Sequence, residues 1–216
     1  MKKALFFMAL ALTLLCCTRK PEGIRTGDLV FVGLPLDYSL DSTDMASAIT
    51  ASTGNGELNL IHVAIADVVK DSVWIIDATI AHGVDRHPLD TFLADFTLKD
   101  GTLPPFMIRR VDGVDGAAAV ERAKALCGLP YDVHFRPDND SLYCTELVRE
   151  CYLDASGKPV FENSPMNFRA SDGSVPVYWE QLFALLGESV PQDVPGTNPQ
   201  GMFADSRLVE VDVPLK

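Results

Sequence analysis

Two runs rich in β-branched residues, separated by only two residues, constrain the fold of this chain more than any other sequence feature. The runs cover residues 60–69 and 72–78, and Lys70-Asp71 joins them. Such runs are typical of buried strands, and the two-residue connection predicts an antiparallel hairpin. The two strands carry His62 and Asp77 within otherwise apolar runs. We therefore expect an antiparallel sheet that holds these two polar side chains.

The remaining sequence predicts further strands and helices in mixed order. Apolar runs at 29–32, 106–111 and 208–213 are typical of strands. Apolar residues at helical spacing, with capping residues beside them, predict helices at 45–50, 88–96, 115–127, 141–153 and 177–186. Hairpin-connected strands combined with separate helices indicate an α+β fold.

Composition and charge exclude several classes of function. The chain has 216 residues, of which 47% are apolar and 22% charged, enough to bury a core. Its formal net charge of −12 would repel a phosphate backbone, so we expect no nucleic-acid partner. No glycine-rich phosphate loop follows a predicted strand, so we expect no nucleotide cofactor or other cofactor. We expect the protein to be a monomer.

The N-terminus has the pattern of an export signal. Lys2 and Lys3 precede an apolar run at 4–15, which is too short to span a bilayer but typical of a secretory signal. The run ends in Leu14-Leu15-Cys16-Cys17, which resembles the bacterial lipoprotein signal with Cys17 as the lipidated residue. We therefore predict a signal peptide at 1–16 and a tether at 17–26.

This signal predicts a membrane partner and a location. A lipid chain on Cys17 would hold the protein on a membrane of the cell envelope. The outer membrane or the cell surface is expected, with the periplasmic face as the other option. The alternative is an ordinary signal peptide in which Cys16 and Cys17 have no role.

Three further cysteines are Cys127, Cys144 and Cys151. Their odd number requires a free thiol or an intermolecular bridge. Cys144 and Cys151 lie on one predicted helix, about 10 Å apart at ~1.5 Å per residue, which is too far for a disulfide. A bond between Cys127 and Cys151 is compatible with the sequence and would leave Cys144 free.

Cys144, His62 and Asp77 are the candidate catalytic residues. A thiol in the first turn of a helix has its thiolate stabilised by unpaired N–H groups and the helix dipole. His62 could form an ion pair with that thiolate, and Asp77 on the next strand could fix the imidazole tautomer. Residue types alone also allow a plainer interpretation, in which Cys144 and His62 are ordinary core residues and Asp77 caps a strand.

Five segments in fixed order carry a family resemblance. They are Gly27-Asp28-Leu29-Val30-Phe31, His62-Val63-Ala64-Ile65, Asp77-Ala78, Gly128-Leu129-Pro130-Tyr131-Asp132 with Phe135, and Tyr143-Cys144-Thr145-Glu146-Leu147. Together they resemble the YiiX/YebB-like branch of the circularly permuted NlpC-type papain-like hydrolases, in which the cysteine follows the histidine strand. The resemblance implies a papain-like domain at 27–155, with an antiparallel sheet or small barrel packed against helices. Residues 156–216 would form an irregular extension packed on the same domain.

The resemblance also assigns roles. It implies Cys144 as nucleophile, His62 as general base and acid, and Asp77 as the residue that orients His62, where the family more often has Glu. Tyr143 and Tyr131 are candidates for the oxyanion site or the pocket. The pocket itself is expected from the irregular segments 41–59 and 157–199.

The expected function is a cell-envelope cysteine amidase or peptidase that forms an acyl-enzyme, with cell-wall peptides as the implied substrates. The alternatives are a hydrolase of lipid-like amides or esters, a non-catalytic envelope binding module with a papain-like cleft, and a structural lipoprotein.

No metal site is expected from the sequence. His82, His87 and His134 lack the close-spaced ligand pair that zinc sites show. Glu146 is expected to serve the helix start. The acidic residues Asp132, Asp138 and Asp140 are interpreted as a solvated face, because calcium-loop spacing is absent.

Overall fold

The computed structural model describes residues 23–54 and 58–215. The predicted signal peptide, Cys17 and residues 18–22 of the predicted tether lie outside the described residues. Within the two described ranges, no helix combines the length and the hydropathy needed to cross a bilayer.

The centre of the fold is an antiparallel sheet. In chain order, the strands of the described ranges are β1 (Asp28–Leu34), β2 (Asn59–Val69), β3 (Ser72–Thr79), β4 (Gly83–Pro88), β5 (Phe106–Val111), β6 (Ser164–Pro165), β7 (Pro195–Gly196) and β8 (Leu208–Val211). Six of them form one sheet in the order β4-β3-β2-β1-β5-β8, while β6 pairs with β7. The predicted hairpin is confirmed as β2 and β3, with Ile65 opposite Ile76 and Val69 opposite Ser72.

Helices cover both faces of the sheet. They are α1 (Met45–Thr53), α2 (Leu89–Asp95), α3 (Gly116–Leu126), α4 (Cys144–Cys151), α5 (Val177–Leu186) and α6 (Pro199–Phe203). The core on one face combines β1 to β3 with α3, α4 and α6, and the smaller core on the other face is closed by α2. A third apolar cluster joins α1, α5 and the loop before α4. The prediction of an α+β fold with an antiparallel sheet packed against helices is confirmed.

Helix α4 is shorter than the predicted 141–153. Its N-cap is Tyr143, without a side-chain cap bond, so neither Asp140 nor Ser141 caps the helix. The helix ends because Tyr152 is extended and Leu153 forms a β-bridge with Pro159. The later start makes Cys144 the first residue of the helix.

The structure answers one open question about side chains and corrects one expectation. The bond between Cys127 and Cys151 that the sequence left open is not formed, and the thiols of Cys127, Cys144 and Cys151 are free. Asp132 is fully buried instead of solvated, because its carboxylate accepts hydrogen bonds from the His134 and Arg136 N–H groups at 2.8 and 3.0 Å. This carboxylate fixes the loop that leads into α4.

Candidate active site

Helix α4 presents Cys144 to the sheet. The thiol belongs to the first helical residue, where the backbone N–H groups have no partner within the helix. Cys144 is 6% exposed, and α4 packs on β2 and β3. The helix start therefore holds the thiol against the strands that carry His62 and Asp77.

His62 contacts both of the other predicted residues. Its Nε2 lies 2.7 Å from Asp77 Oδ2, and the ring is also hydrogen-bonded to the Cys144 thiol. Because Nε2 faces the carboxylate, Nδ1 is the nitrogen left for the thiol. The structure thus brings together Cys144, His62 and Asp77 in the order that the sequence predicted.

A bulge in β2 helps to aim His62. Val32 of β1 pairs with His62, but the next residue, Gly33, pairs with Leu60, so Ile61 is an extra residue. Bulges of this kind turn the side chains beside them and are frequent near active sites. The Phe96 ring packs on the imidazole with 4.8 Å between ring centroids. The bulge and this ring together restrict the orientation of His62.

The electrostatics of His62 favour the imidazolium form. Burial lowers the pKa of His62, but the charge on Cys144 and the hydrogen bonds to Asp77 and Cys144 raise it more, and the balance brings this pKa to about 10. At neutral pH, a protonated His62 beside Cys144 and Asp77 is therefore favoured. An imidazolium next to a thiol is the arrangement that activates cysteine nucleophiles.

Two apolar depressions meet at Cys144. One, of about 210 Å³, lies beside His62 and is bounded by α1, Ala78, Ile80 and Phe96. The other, of about 40 Å³, is bounded by Ile49 and Ser52 of α1 and by residues of the C-terminal segment such as Met166, Phe168, Trp179 and Thr197. Both predicted segments, 41–59 and 157–199, contribute to these walls.

The two candidate tyrosines have different surroundings. Tyr131 lines both depressions, and its hydroxyl lies 3.8 Å from the Met45 sulfur. The Tyr143 hydroxyl accepts a hydrogen bond from the Thr197 N–H at 3.0 Å, which ties the start of α4 to the C-terminal segment. Tyr131 therefore lies in the wall of the pocket, whereas the Tyr143 hydroxyl is already engaged by the Thr197 backbone N–H.

A second histidine lies behind Asp77. His87 of β4 places its Nε2 at 3.7 Å from Asp77 Oδ1 and its Nδ1 at 2.5 Å from Asp85 Oδ1. Sequence reasoning missed this arrangement because β4 has few apolar residues and was not predicted as a strand. Strand β3 pairs with β4 in a register that places Asp77 opposite Asp85, and this register brings these groups together.

The sequence model of the permuted papain-like amidases, the YaeF/YiiX or C92 family, matches residues 23–212. The chain belongs to this family. A curated relative is the uncharacterized protein YiiX of Escherichia coli K12, which is 24% identical over 215 residues, or 98% of this chain and 96% of YiiX.

A solved structure supports the same fold. The crystal structure of YiiX from Escherichia coli O157:H7, described as a metalloprotein, is similar with a TM-score of 0.65 and 24% identity. The similarity covers 87% of this chain and 96% of that one. The predicted resemblance to a permuted papain-like, YiiX-like protein is confirmed.

Proposed function

We propose that this protein is a cysteine hydrolase that cleaves an amide or ester through an acyl-enzyme formed on Cys144. The proposal rests on one observation. The buried His62 ring is hydrogen-bonded both to the Cys144 thiol and to Asp77, with 2.7 Å between His62 Nε2 and Asp77 Oδ2. Membership in an amidase family supports hydrolysis as the reaction class.

The reaction has two steps. In the first, the Cys144 thiolate attacks the carbonyl carbon, and the Cys144 N–H at the helix start donates to the oxygen that becomes negative. The amide C–N bond breaks as protonated His62 gives its proton to the departing amine, which leaves a thioester. In the second, neutral His62 takes a proton from water, which attacks the thioester and releases the acid and the thiol.

Asp77 supports both steps. Its carboxylate accepts the Nε2–H of His62, keeps Nδ1 towards Cys144 and stabilises the imidazolium. The carboxylate is 1% exposed, so water competes little for this hydrogen bond.

The substrate is proposed from the walls beside the thiol. Both depressions next to Cys144 are lined mainly by aliphatic and aromatic side chains. Walls of this kind favour the sequence-based alternative, a lipid-like amide or ester whose acyl chain is buried. Cell-wall peptides, the substrates implied by the resemblance, have polar side chains and free carboxylates that such walls do not match.

A metal ion has no part in the proposed reaction. Among the described residues, Asp77, Asp85 and His87 are the group whose possible ligand atoms lie within 4.8 Å of one another. Asp77 and Asp85 each already give an oxygen to an imidazole nitrogen. That leaves Asp77 Oδ1, His87 Nε2 and the second oxygen of Asp85, so these residues could offer a divalent cation three protein ligands. No step of the proposed reaction requires such a cation.

The cellular setting is part of the proposal. We propose that Cys17 carries a lipid anchor and that the hydrolase acts in the cell envelope, on substrates at the membrane that holds it.

A series of p-nitrophenyl esters with two, four, eight and twelve acyl carbons tests the proposal, beside a set of muropeptides. We expect kcat/KM to rise about fourfold for each methylene that the pocket buries, at ~0.8 kcal/mol per methylene. Intact-mass spectrometry should show the acyl group on the wild-type protein but not on Cys144→Ala. Cys127→Ser is the matched control and should keep wild-type rates.

Three results would contradict parts of the proposal. Cleavage of muropeptides with no dependence on ester chain length would replace the lipid-like substrate by a peptide. Ligand binding without product or adduct would indicate a binding module. An acyl group that still forms on Cys144→Ala would exclude Cys144 as the nucleophile.

A further inference from the structure

Asp77 lies between two imidazole rings. Its Oδ2 is 2.7 Å from His62 Nε2, and its Oδ1 is 3.7 Å from His87 Nε2. Asp85 lies at the far end, with its Oδ1 2.5 Å from His87 Nδ1. The groups form one continuous row from Cys144 to Asp85 across three strands and the start of α4.

His87 has a buried nitrogen without a partner. The residue is 7% exposed, and Nε2 has no hydrogen-bond partner among the described residues. The ring packs nearly parallel to Phe92, with an angle of 18° and 6.4 Å between centroids, so the nitrogen is fixed towards Asp77. A small shift of the side chains would close the 3.7 Å separation to a hydrogen bond.

The strand register explains why a histidine suits this position. Asp77 and Asp85 are direct cross-strand partners, and two carboxylates in such positions repel each other. An imidazolium placed between them can donate one N–H to each. The groups that face His87 are Asp77 from β3, Asp85 from its own strand and the apolar Phe92 from α2.

We propose that His87, oriented by Asp85, is a positioning residue that donates its Nε2–H to Asp77 Oδ1 and so holds Asp77 Oδ2 on His62. This inference rests on the proposed function of Cys144 and His62. In this arrangement, the edge strand β4 holds the Asp77 carboxylate in the plane that suits its hydrogen bond to His62. His87 touches neither substrate nor thiol and acts only through Asp77.

The test measures the rate of Cys144 alkylation by iodoacetamide across pH 5 to 9. Every variant carries Cys127→Ser, so that the exposed thiol does not contribute. We expect His87→Phe to slow alkylation at neutral pH at least tenfold and to move the rise of the rate to higher pH. His87→Gln, which keeps a side-chain N–H, should recover part of the rate.

A double-mutant cycle separates positioning from a general structural role. If His87 acts through Asp77, then His87→Phe should have no further effect in an Asp77→Asn background. The matched control is His134→Gln, since His134 is also paired with a carboxylate, Glu188 at 3.0 Å, but lies outside the row. The control should keep the rate of the Cys127→Ser protein.

The outcomes that overturn the inference are distinct. Unchanged alkylation in His87→Phe, or an equal loss with and without Asp77→Asn, would exclude positioning through Asp77. One equivalent of zinc bound by the starting protein and lost in His87→Phe would make the row a metal site instead. If folded Cys144 reacts no faster than in the urea-unfolded chain, the proposed function fails as well, whereas a fast Cys144 with an unaffected His87→Phe overturns only this inference.

Discussion

At the level of single residues, His62 is central to the proposed chemistry because it contacts both the thiol and the carboxylate. His62, Asp77 and Cys144 could be singled out from the sequence because they are polar or reactive residues in apolar runs. The structure places them in contact. Asp77 reaches His62 at 2.7 Å, so an aspartate is long enough for this contact. His87 was not predicted as part of the site, because its partners come from strand register.

The first prediction concerns the pKa of His62 and its dependence on Cys144 and Asp77. Its value of about 10 means that the imidazolium is present below that pH and is lost as pH rises through it. Because the charge on Cys144 raises this pKa, Cys144→Ala should lower it, and Asp77→Asn should lower it as well. Imidazole NMR titration of His62 measures the effect, with the exposed His82 as an internal reference. A value near 6.5 in the wild-type protein would contradict the ion pair.

Glu146 gives the second prediction. Burial, followed by the charge of Asp132, raises the pKa of Glu146 to about 8, and one of its carboxylate oxygens is buried without a hydrogen-bond partner. A carboxyl with a raised pKa favours the fold most below its unfolded pKa, and this contribution is lost as pH rises through about 8.

Glu146→Gln should therefore stabilise the protein by about 1–2 kcal/mol at pH 8 and by almost nothing at pH 4.5, after allowance for partial exposure of the group. Urea unfolding at the two pH values measures the difference. Glu121→Gln, a change of the same kind on an exposed side chain of α3, is the control. Equal effects of Glu146→Gln at both pH values would contradict the prediction.

At the level of elements, the hairpin and most helices were predictable because their apolar periodicity is strong. The structure places α5 at the predicted 177–186 and caps α3 with the Asp115 side chain, which accepts from the Ala118 N–H at 3.0 Å. Strand β4 and helix α6 were missed. Strand β4 is short and polar and α6 has only five residues, so tertiary contacts decide their conformation more than local sequence does.

The junction of β1 and α3 provides a prediction for an element contact. Gly27 has φ of +85°, and a Cβ built there would lie 2.3 Å from the Gly116 Cα. Gly27→Ala should therefore destabilise the fold by about 3 kcal/mol or more, since both backbone strain and a backbone clash oppose it.

Gly113→Ala is the control for this prediction. Gly113 has φ of +74° but nothing within 4 Å of the added Cβ, so only the strain of about 1 kcal/mol is expected. Urea unfolding compares the two variants. Equal losses would show that the close approach to Gly116 contributes nothing.

At the level of the whole molecule, the last 60 residues contribute to both sheet and site. Strand β8 pairs with β5, and Met202 belongs to the main core. Trp179 and Phe183 of α5 are buried in the cluster beside the second depression. The sequence did not predict how closely residues after 155 are integrated with the sheet and the site, because these contacts join residues far apart in the sequence.

A chain that ends at Ser156 should accordingly lose cooperative unfolding. It would lack the edge strand β8 and four buried aromatic side chains, Phe161, Phe168, Trp179 and Phe183, each worth about 3–5 kcal/mol when truncated. A chain that ends at Leu215, which keeps the contact of that residue with the smaller core, is the control and should unfold like the full chain. Calorimetry compares the three proteins, and a sharp transition in the shorter chain would show that residues 27–155 fold alone.

The central claim is that Cys144 is an activated nucleophile, and competition between two thiols in one molecule tests it most directly. Cys127 is exposed, while Cys144 is 6% exposed and lies beside His62. Partial desolvation of the Cys127 side chain, followed by the charge of Asp85, raises the pKa of this thiol, so it should react slowly at neutral pH even though it is accessible. With limiting iodoacetamide at pH 7, we expect Cys144 to be alkylated first despite its burial. Earlier labelling of Cys127 in the folded protein would contradict it.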